Sequence, residues 1–200
     1  MNVSNLSQIW AEVDPAVWLV TSRYGDASGG LIATFVNEAS IVPECPRMVI
    51  GLSRQHHTTS LVDKSGGFAL HLLDEEHLDW IWRFGLQSGW KADKLQGINH
   101  QAAATGSPIL TEARAWLECR VEAHLNTGDR TLYLAEVLDA DYRAGDPILT
   151  VQRLLQLTPP DKLQLLNDLH KRDEAVDVLA IRKWRSQRAN QAEKSHDEPR

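Results

Sequence analysis

Apolar and polar residues alternate without a break from position 117 to 125. Leu117, Cys119, Val121, Ala123 and Leu125 interleave with Glu118, Arg120, Glu122 and His124. A period of two sends successive side chains to opposite faces of a strand, so the run predicts one buried and one wet face. Asn126-Thr127-Gly128-Asp129 follows as a hairpin turn, and residues 131–140 return as a second strand. Two long strands joined by a tight turn point to antiparallel β structure rather than βαβ units.

The rest of the chain fits that reading. Residues 5–12 predict a short helix with Leu6, Ile9 and Trp10 on one face, closed by Pro15. Residues 16–23 are rich in β-formers and predict a strand, residues 24–30 a hairpin loop, and residues 31–40 a second strand. After Pro43 and Pro46, residues 48–52 make a third strand. Residues 56–64 predict a helix ended by Ser65-Gly66-Gly67, and residues 68–73 another strand. Asp74 is placed to cap a helix over residues 75–84. Residues 85–107 form a long irregular excursion, and long ordered loops tend to carry function. Residues 148–157 are open between strand and helix. Thr158-Pro159-Pro160-Asp161 then starts a helix, with Thr158 as its cap and helical spacing to about residue 188.

This organisation divides the chain into a β domain over residues 1–150, a helical C-terminal extension over 151–190, and a disordered polar tail over 191–200. The composition, 42% apolar and 24% charged, is that of an ordinary soluble protein. A net charge of -6, from 27 acidic and 21 basic residues, gives no general attraction to nucleic acid or anionic membrane. Cys45 and Cys119 make neither a disulfide framework nor a CxxC pair. The opening residues lack a basic run followed by a long apolar stretch, and no run reaches about 18 apolar residues. The expectation is a cytoplasmic protein with neither signal peptide nor membrane span.

Five ordered segments resemble the flavin reductase-like, FMN-binding split-barrel family. The family strand G-x-T-A-S-S-F-x-x-x-S, with a following proline, is matched by Gly30-Leu31-Ile32-Ala33-Thr34-Phe35-Val36-Asn37-Glu38-Ala39-Ser40 and Pro43. The polar segment N-R-x-S-x-T is matched by Ser53-Arg54-Gln55-His56-His57-Thr58. A Gly-Phe-Ala strand corresponds to Gly67-Phe68-Ala69, and P-x-L…A-W-L-E-C-x-V to Pro108-Ile109-Leu110 and residues 115–121. A Gly-Asp-His turn corresponds to Gly128-Asp129-Arg130. The resemblance covers about residues 14–150. It implies an antiparallel Greek-key split barrel, paired as a homodimer with FMN at the interface. Here that mainly β barrel would carry a helical C-terminal extension.

The resemblance also implies site residues. Ala33, Thr34, Phe35, Asn37 and Ser40 would meet the flavin ring, and Ser53, Arg54, His57 and Thr58 its phosphate at a helix N-terminus, where amides and dipole favour an anion. Lys94, and Arg83 beside it, are further phosphate candidates from the excursion. Arg130 stands where the family carries a histidine associated with the nicotinamide, and Phe35 replaces a small residue beside the flavin. The plain alternatives are a capped helix at Ser53 with a solvated Arg54, and a turn at Asp129-Arg130. Trp80, Trp82 and Trp90 read as packing more readily than as a flavin cover.

Adjacent His56 and His57 point about 100° apart on a helix and do not share one ion, so no metal is expected. No nucleophile triad is recognisable, and no catalytic residue is assigned. The implied activity is an NAD(P)H-dependent flavin reductase, with NADH or NADPH as reductant and FMN, or FAD, as flavin. An oxygenase or another acceptor would take the electrons. The alternatives are a non-catalytic FMN-binding or electron-transfer protein, and an interaction protein on an emptied barrel.

Overall fold

The computed structural model describes residues 3–196 and is built on the hairpin that the alternation predicts. Helix α1 spans Val3–Glu12, with Leu6 half-buried and Ile9 and Trp10 exposed. Strands β1 (Trp18–Tyr24), β2 (Ala27–Ala33), β3 (Val36–Glu38) and β4 (Arg47–Ser53) lead into α2 (His57–Ser65). Strand β5 (Gly67–Leu72) is followed by a 3-10 turn over Glu75–His77 and by α3 (Leu78–Leu86). Asp74 caps that turn as expected, its carboxylate accepting from Glu76 N at 3.0 Å. Short strands β6 (Gln101–Ala102) and β7 (Pro108–Ile109) pair across the excursion, β8 (Ala115–Asn126) and β9 (Arg130–Tyr142) make the long hairpin, and α4 (Val151–Leu157) and α5 (Pro160–His196) follow.

Seven strands form one antiparallel sheet in the order β2-β1-β5-β8-β9-β4-β3. Leu31 and Ala33 from one edge and Val36 and Ile50 from the other share a single core with Val20, Phe68, Leu70, Cys119 and Tyr133. The sheet therefore curls into a half-barrel around its inner face. A second core lies on the outer face, where Leu19, one residue from Val20, packs with Leu73, Phe84, Leu95, Leu110, Leu149 and Leu154. Among the described residues, no helix is long and apolar enough to cross a membrane.

Four expectations need correction. The loop at 24–30 is only a two-residue turn, because Tyr24 already pairs with Ala27 and Gly25 takes φ +59°. Gly29 and Gly30 belong to the strand, where they make room. A Cβ on Gly30 would lie 2.7 Å from the Phe84 ring. Gly30→Ala is thus expected to cost about 1–3 kcal/mol through overpacking, read by urea unfolding.

The alternation in β8 also breaks. Bulges at Glu118/Cys119 and Val121/Ala123 rotate the strand. Glu118 becomes buried and accepts from Thr105 N at 2.6 Å, while Leu125 is 53% exposed.

Thr158 does not cap α5; its hydroxyl donates to Leu154 O at 2.7 Å and closes α4 instead. The open stretch at 148–157 resolves into single bridges at Ile148 and Thr150, then α4. Finally, α5 continues to His196, into the expected tail, because Gln191, Ala192, Glu193 and Lys194 are good helix formers with no intervening Gly or Pro. Residues 197–200 lie outside the described residues.

Candidate functional site

Strand β4 ends at Ser53, and the chain turns through Arg54, Gln55 and His56 into α2. No side chain caps this helix at His56. Its first amides are therefore free of the side-chain bond that usually satisfies one of them. Gln55, His56, His57 and Thr58 line a cavity of about 440 Å³. Gly30 and Ile32 of β2 form a second side, the end of α3 and residues 85–90 a third, and Leu166, Leu169, His170, Arg172 and Asp173 of α5 the fourth.

Two buried polar atoms beside this helix start lack a hydrogen-bond partner, Ser53 Oγ and His57 Nδ1. Leaving a buried donor or acceptor unpaired costs about 1–3 kcal/mol, so such atoms mark places where a ligand is useful. The His57 ring packs against the exposed Trp90 with centroids 4.7 Å apart, and Trp90 Nε1 donates to Gln55 O at 3.3 Å. Burial lowers the pKa of His57, and of His56 beside it, which favours neutral imidazoles at this wall.

Lys94 supplies the positive charge. Its side chain is buried and donates to Phe84 O at 2.7 Å and Gly30 O at 3.1 Å, tying the excursion to α3 and β2. Burial pushes its pKa down to about 8, and no carboxylate opposes the shift. An ammonium has three donors, so one remains for a ligand.

Of the residues singled out in the sequence, His57, Thr58 and Lys94 line this cavity, and Ser53 is buried at the strand end just before it. The others do not line this cavity. Arg54 is exposed, because its neighbour Ser53 takes the inward position of the strand end, and its amide bonds Asp129 O at 2.9 Å. Ala33 is buried in the inner core. Thr34 is half-buried, Asn37 is exposed, and Ser40 Oγ accepts from Val42 N at 3.1 Å.

Phe35 is 57% exposed, and the Arg130 guanidinium lies 4.8 Å over its ring. Arg130 is also 3.4 Å from Asp129 and 3.6 Å from Asp177 of α5. Arg83 bonds the carbonyl of Gln96. Among the described residues, no group of three or more His, Cys, Asp or Glu is placed to hold a metal ion.

Sequence reasoning missed the α5 wall. Its Leu166 and Leu169 were legible as a helical stripe, but nothing local says what a stripe covers. Trp80 and Trp82 pack against the outer core as expected, while Trp82 also lines the cavity and carries Lys162 at 4.6 Å over its ring.

A phosphate-bearing ligand with a flat apolar ring fits this set. The free helix start, the unpartnered Ser53 and His57 atoms and the uncompensated Lys94 suit the phosphate. Trp90 offers an exposed aromatic face at the cavity.

Comparison with known proteins gives a consistent picture. The family model described as "Flavin reductase like domain" matches residues 11–155. The chain is 27% identical over 149 residues to diflavin flavoprotein A 1 of Synechocystis sp., covering 74% of this chain and 26% of that protein. It spans only about a quarter of the diflavin flavoproteins that it matches. Identity to the ferric-chelate reductase (NAD(P)H) of Archaeoglobus fulgidus is 27% over 141 residues, covering 70% of this chain and 82% of that one. The crystal structure of an FMN-binding protein from Thermus thermophilus superposes with a TM-score of 0.60 at 23% identity, covering 65% and 71% of the two chains, and speaks for the fold alone.

Proposed function

The chain belongs to the flavin reductase-like family, and on that premise we propose that it binds FMN and acts as an NAD(P)H-dependent flavin reductase. The observation that carries this reading is that the uncapped α2 start, with His57 and Thr58, and the Lys94 ammonium line the same cavity, with the unpartnered Ser53 Oγ buried at the strand end that leads into that helix. Lys94 and the first amides of α2 would hold the phosphate, with Thr58 and Ser53 as hydroxyl partners. Trp90, packed at a tilt against His57, would shield the bound group from water.

The two-electron chemistry would be the flavin's own, with NADH or NADPH as hydride donor. The protein's part is binding, orientation and exclusion of solvent, and no side chain is assigned as acid or base.

Pairing of two barrels is part of the reading. Phe35, Leu125 and Tyr142 expose large apolar side chains on the β surface, and burying such groups supports association into a homodimer. The unpaired thiols of Cys45 and Cys119 suit a reducing compartment such as the cytoplasm. Electrons would pass to an oxygenase or to a small acceptor, and one relative is named for ferric chelates.

A second reading, an electron-transfer module, is favoured by Arg130. Held between Asp129, Asp177 and Phe35, its guanidinium is poorly available to a nicotinamide nucleotide. The two readings separate on anaerobic titration of the FMN-loaded protein. Bleaching of the flavin absorbance by NADH or NADPH is expected. Bound flavin that neither nucleotide bleaches would favour the module, and failure to take up FMN would overturn both.

A further inference from the structure

Helix α5 lies beyond the matched domain, yet Leu166, Leu169, His170, Arg172 and Asp173 make it one wall of the cavity. Its attachment differs from that of the other walls. Among the described residues, neither hydrophobic core includes a side chain of α5, and none of its side chains is fully buried. Helix α4, just before it, does join the outer core through Val151, Leu154 and Leu157. Between the two, the Thr158 hydroxyl closes α4, and Pro159 has no amide to carry that helix on.

Helix α5 is held instead at separate points along its length. Lys162 lies 4.6 Å over the Trp82 ring. Asp177 lies 3.6 Å from Arg130 and accepts from Gln55 Nε2 at 3.5 Å. Ala180 and Trp184 close over Gly128, where an added Cβ would sit 2.9 Å from Ala180 O. Partly exposed contacts of this kind are individually weak. Leu166 and Leu169 line the cavity with Ile32, Ile81, Trp82 and Leu154 rather than packing into a core. A ligand in the cavity would bury that apolar surface and so strengthen the docking of the helix.

We propose that α5 is a lid. It pivots about Thr158-Pro159 and, when docked, retains the flavin as a resident cofactor rather than an exchanging substrate. The inference rests on the flavin reading above and adds how the site is entered and left. A segment with few buried contacts opens at a lower free energy than the cores beside it. A ligand that fills the cavity binds the docked form better and shifts the population toward it. The flavin thus holds α5 down, and α5 holds the flavin in.

The test uses the full chain loaded with FMN. The unaltered protein should keep FMN through gel filtration, and release on rapid dilution is read by the recovery of flavin fluorescence. Asp177 and Ala180 do not line the cavity, so a fixed wall would leave release unchanged when they are altered. Asp177→Arg, which sets two cations against each other, should speed release about tenfold. Ala180→Trp, which wedges α5 away from Gly128 and leaves Asp177 in place, should act in the same direction. A third arm needs no variant. Bound FMN should slow trypsin cleavage at Lys171, Arg172, Arg182 and Lys183 of α5 by about fivefold or more. Loss of FMN from the unaltered chain on gel filtration, unchanged release in both variants, or α5 cleaved equally fast with and without FMN overturns the proposal. Those outcomes differ from failure of the flavin reading, in which the unaltered chain never quenches FMN fluorescence.

Discussion

Replacing His71 by Leu is expected to destabilise the fold by about 2–5 kcal/mol, because two buried backbone groups lose a shared partner. His71 is fully buried on β5. Its Nε2 accepts from Leu110 N at 3.0 Å, which leaves Nδ1 as the donor to Leu19 O at 3.1 Å. The ring therefore joins β1 to the segment after β7 as a neutral imidazole. Leu conserves bulk and deletes both bonds, so the loss is one of pairing rather than of a cavity.

The same residue makes stability depend on pH. Burial holds its folded pKa at about 4, below the ordinary 6.5. Between those values the unfolded chain binds a proton that the folded chain refuses. Stability is thus full above pH 6.5 and falls as the pH drops toward 4, by about 3 kcal/mol for a shift of this size. Urea unfolding at pH 8 and pH 5 checks both points. The unaltered chain should lose stability on acidification, and the Leu variant should lose much less. An equal acid loss in both would assign the dependence to other groups.

His71 also illustrates what a sequence can and cannot tell. Its place on a strand was legible; its two partners, 52 and 39 residues away, were not. The β8–β9 hairpin was legible because a period of two is local. Its bulges were not, since they depend on the pairing with β9 and on the Thr105 amide that reaches Glu118. The glycines at 29 and 30 read as a loop because glycine marks turns. Their real cause is the approach of Phe84 and His57, which only the tertiary fold brings near. At the site, the sequence suggests a phosphate-binding helix start from Ser53 to Thr58, and the structure has an uncapped helix there with Ser53 Oγ and His57 Nδ1 unpartnered. Arg54 drew attention as a guanidinium, yet strand alternation turns it outward.

These pieces bear on the order in which the site is made. The inner core closes the curled sheet without α5. The α2 start and Lys94 then belong to the barrel and its excursion, while Leu166, Leu169 and Asp173 of α5 close the cavity from outside the matched domain. Under the proposed reading, phosphate binding would then come from the matched domain and one cavity wall from outside it, which makes the contribution of Lys94 separable from that of α5.

Exchange of Lys94 for Gln is expected to weaken FMN binding by about 10–100-fold, the value of about 1.5–3 kcal/mol for a hydrogen bond to a charged group. Gln retains a donor for Gly30 O or Phe84 O, so most of the loss should come from the charge. The pH dependence gives the sharper signature. Burial alone brings the ammonium to a pKa of about 8. An anionic phosphate favours the protonated form, so FMN affinity should be full below pH 8 and fall as the pH rises through that value. Binding should raise the pKa in turn, with uptake of a fraction of a proton near pH 8. Calorimetric titration of FMN in buffers of different ionisation enthalpy reads this uptake directly. The Gln variant should show weak binding with no step near pH 8. A step that persists in the variant would belong to another group, and unchanged affinity would remove Lys94 from the phosphate site while leaving its two carbonyl bonds as its role.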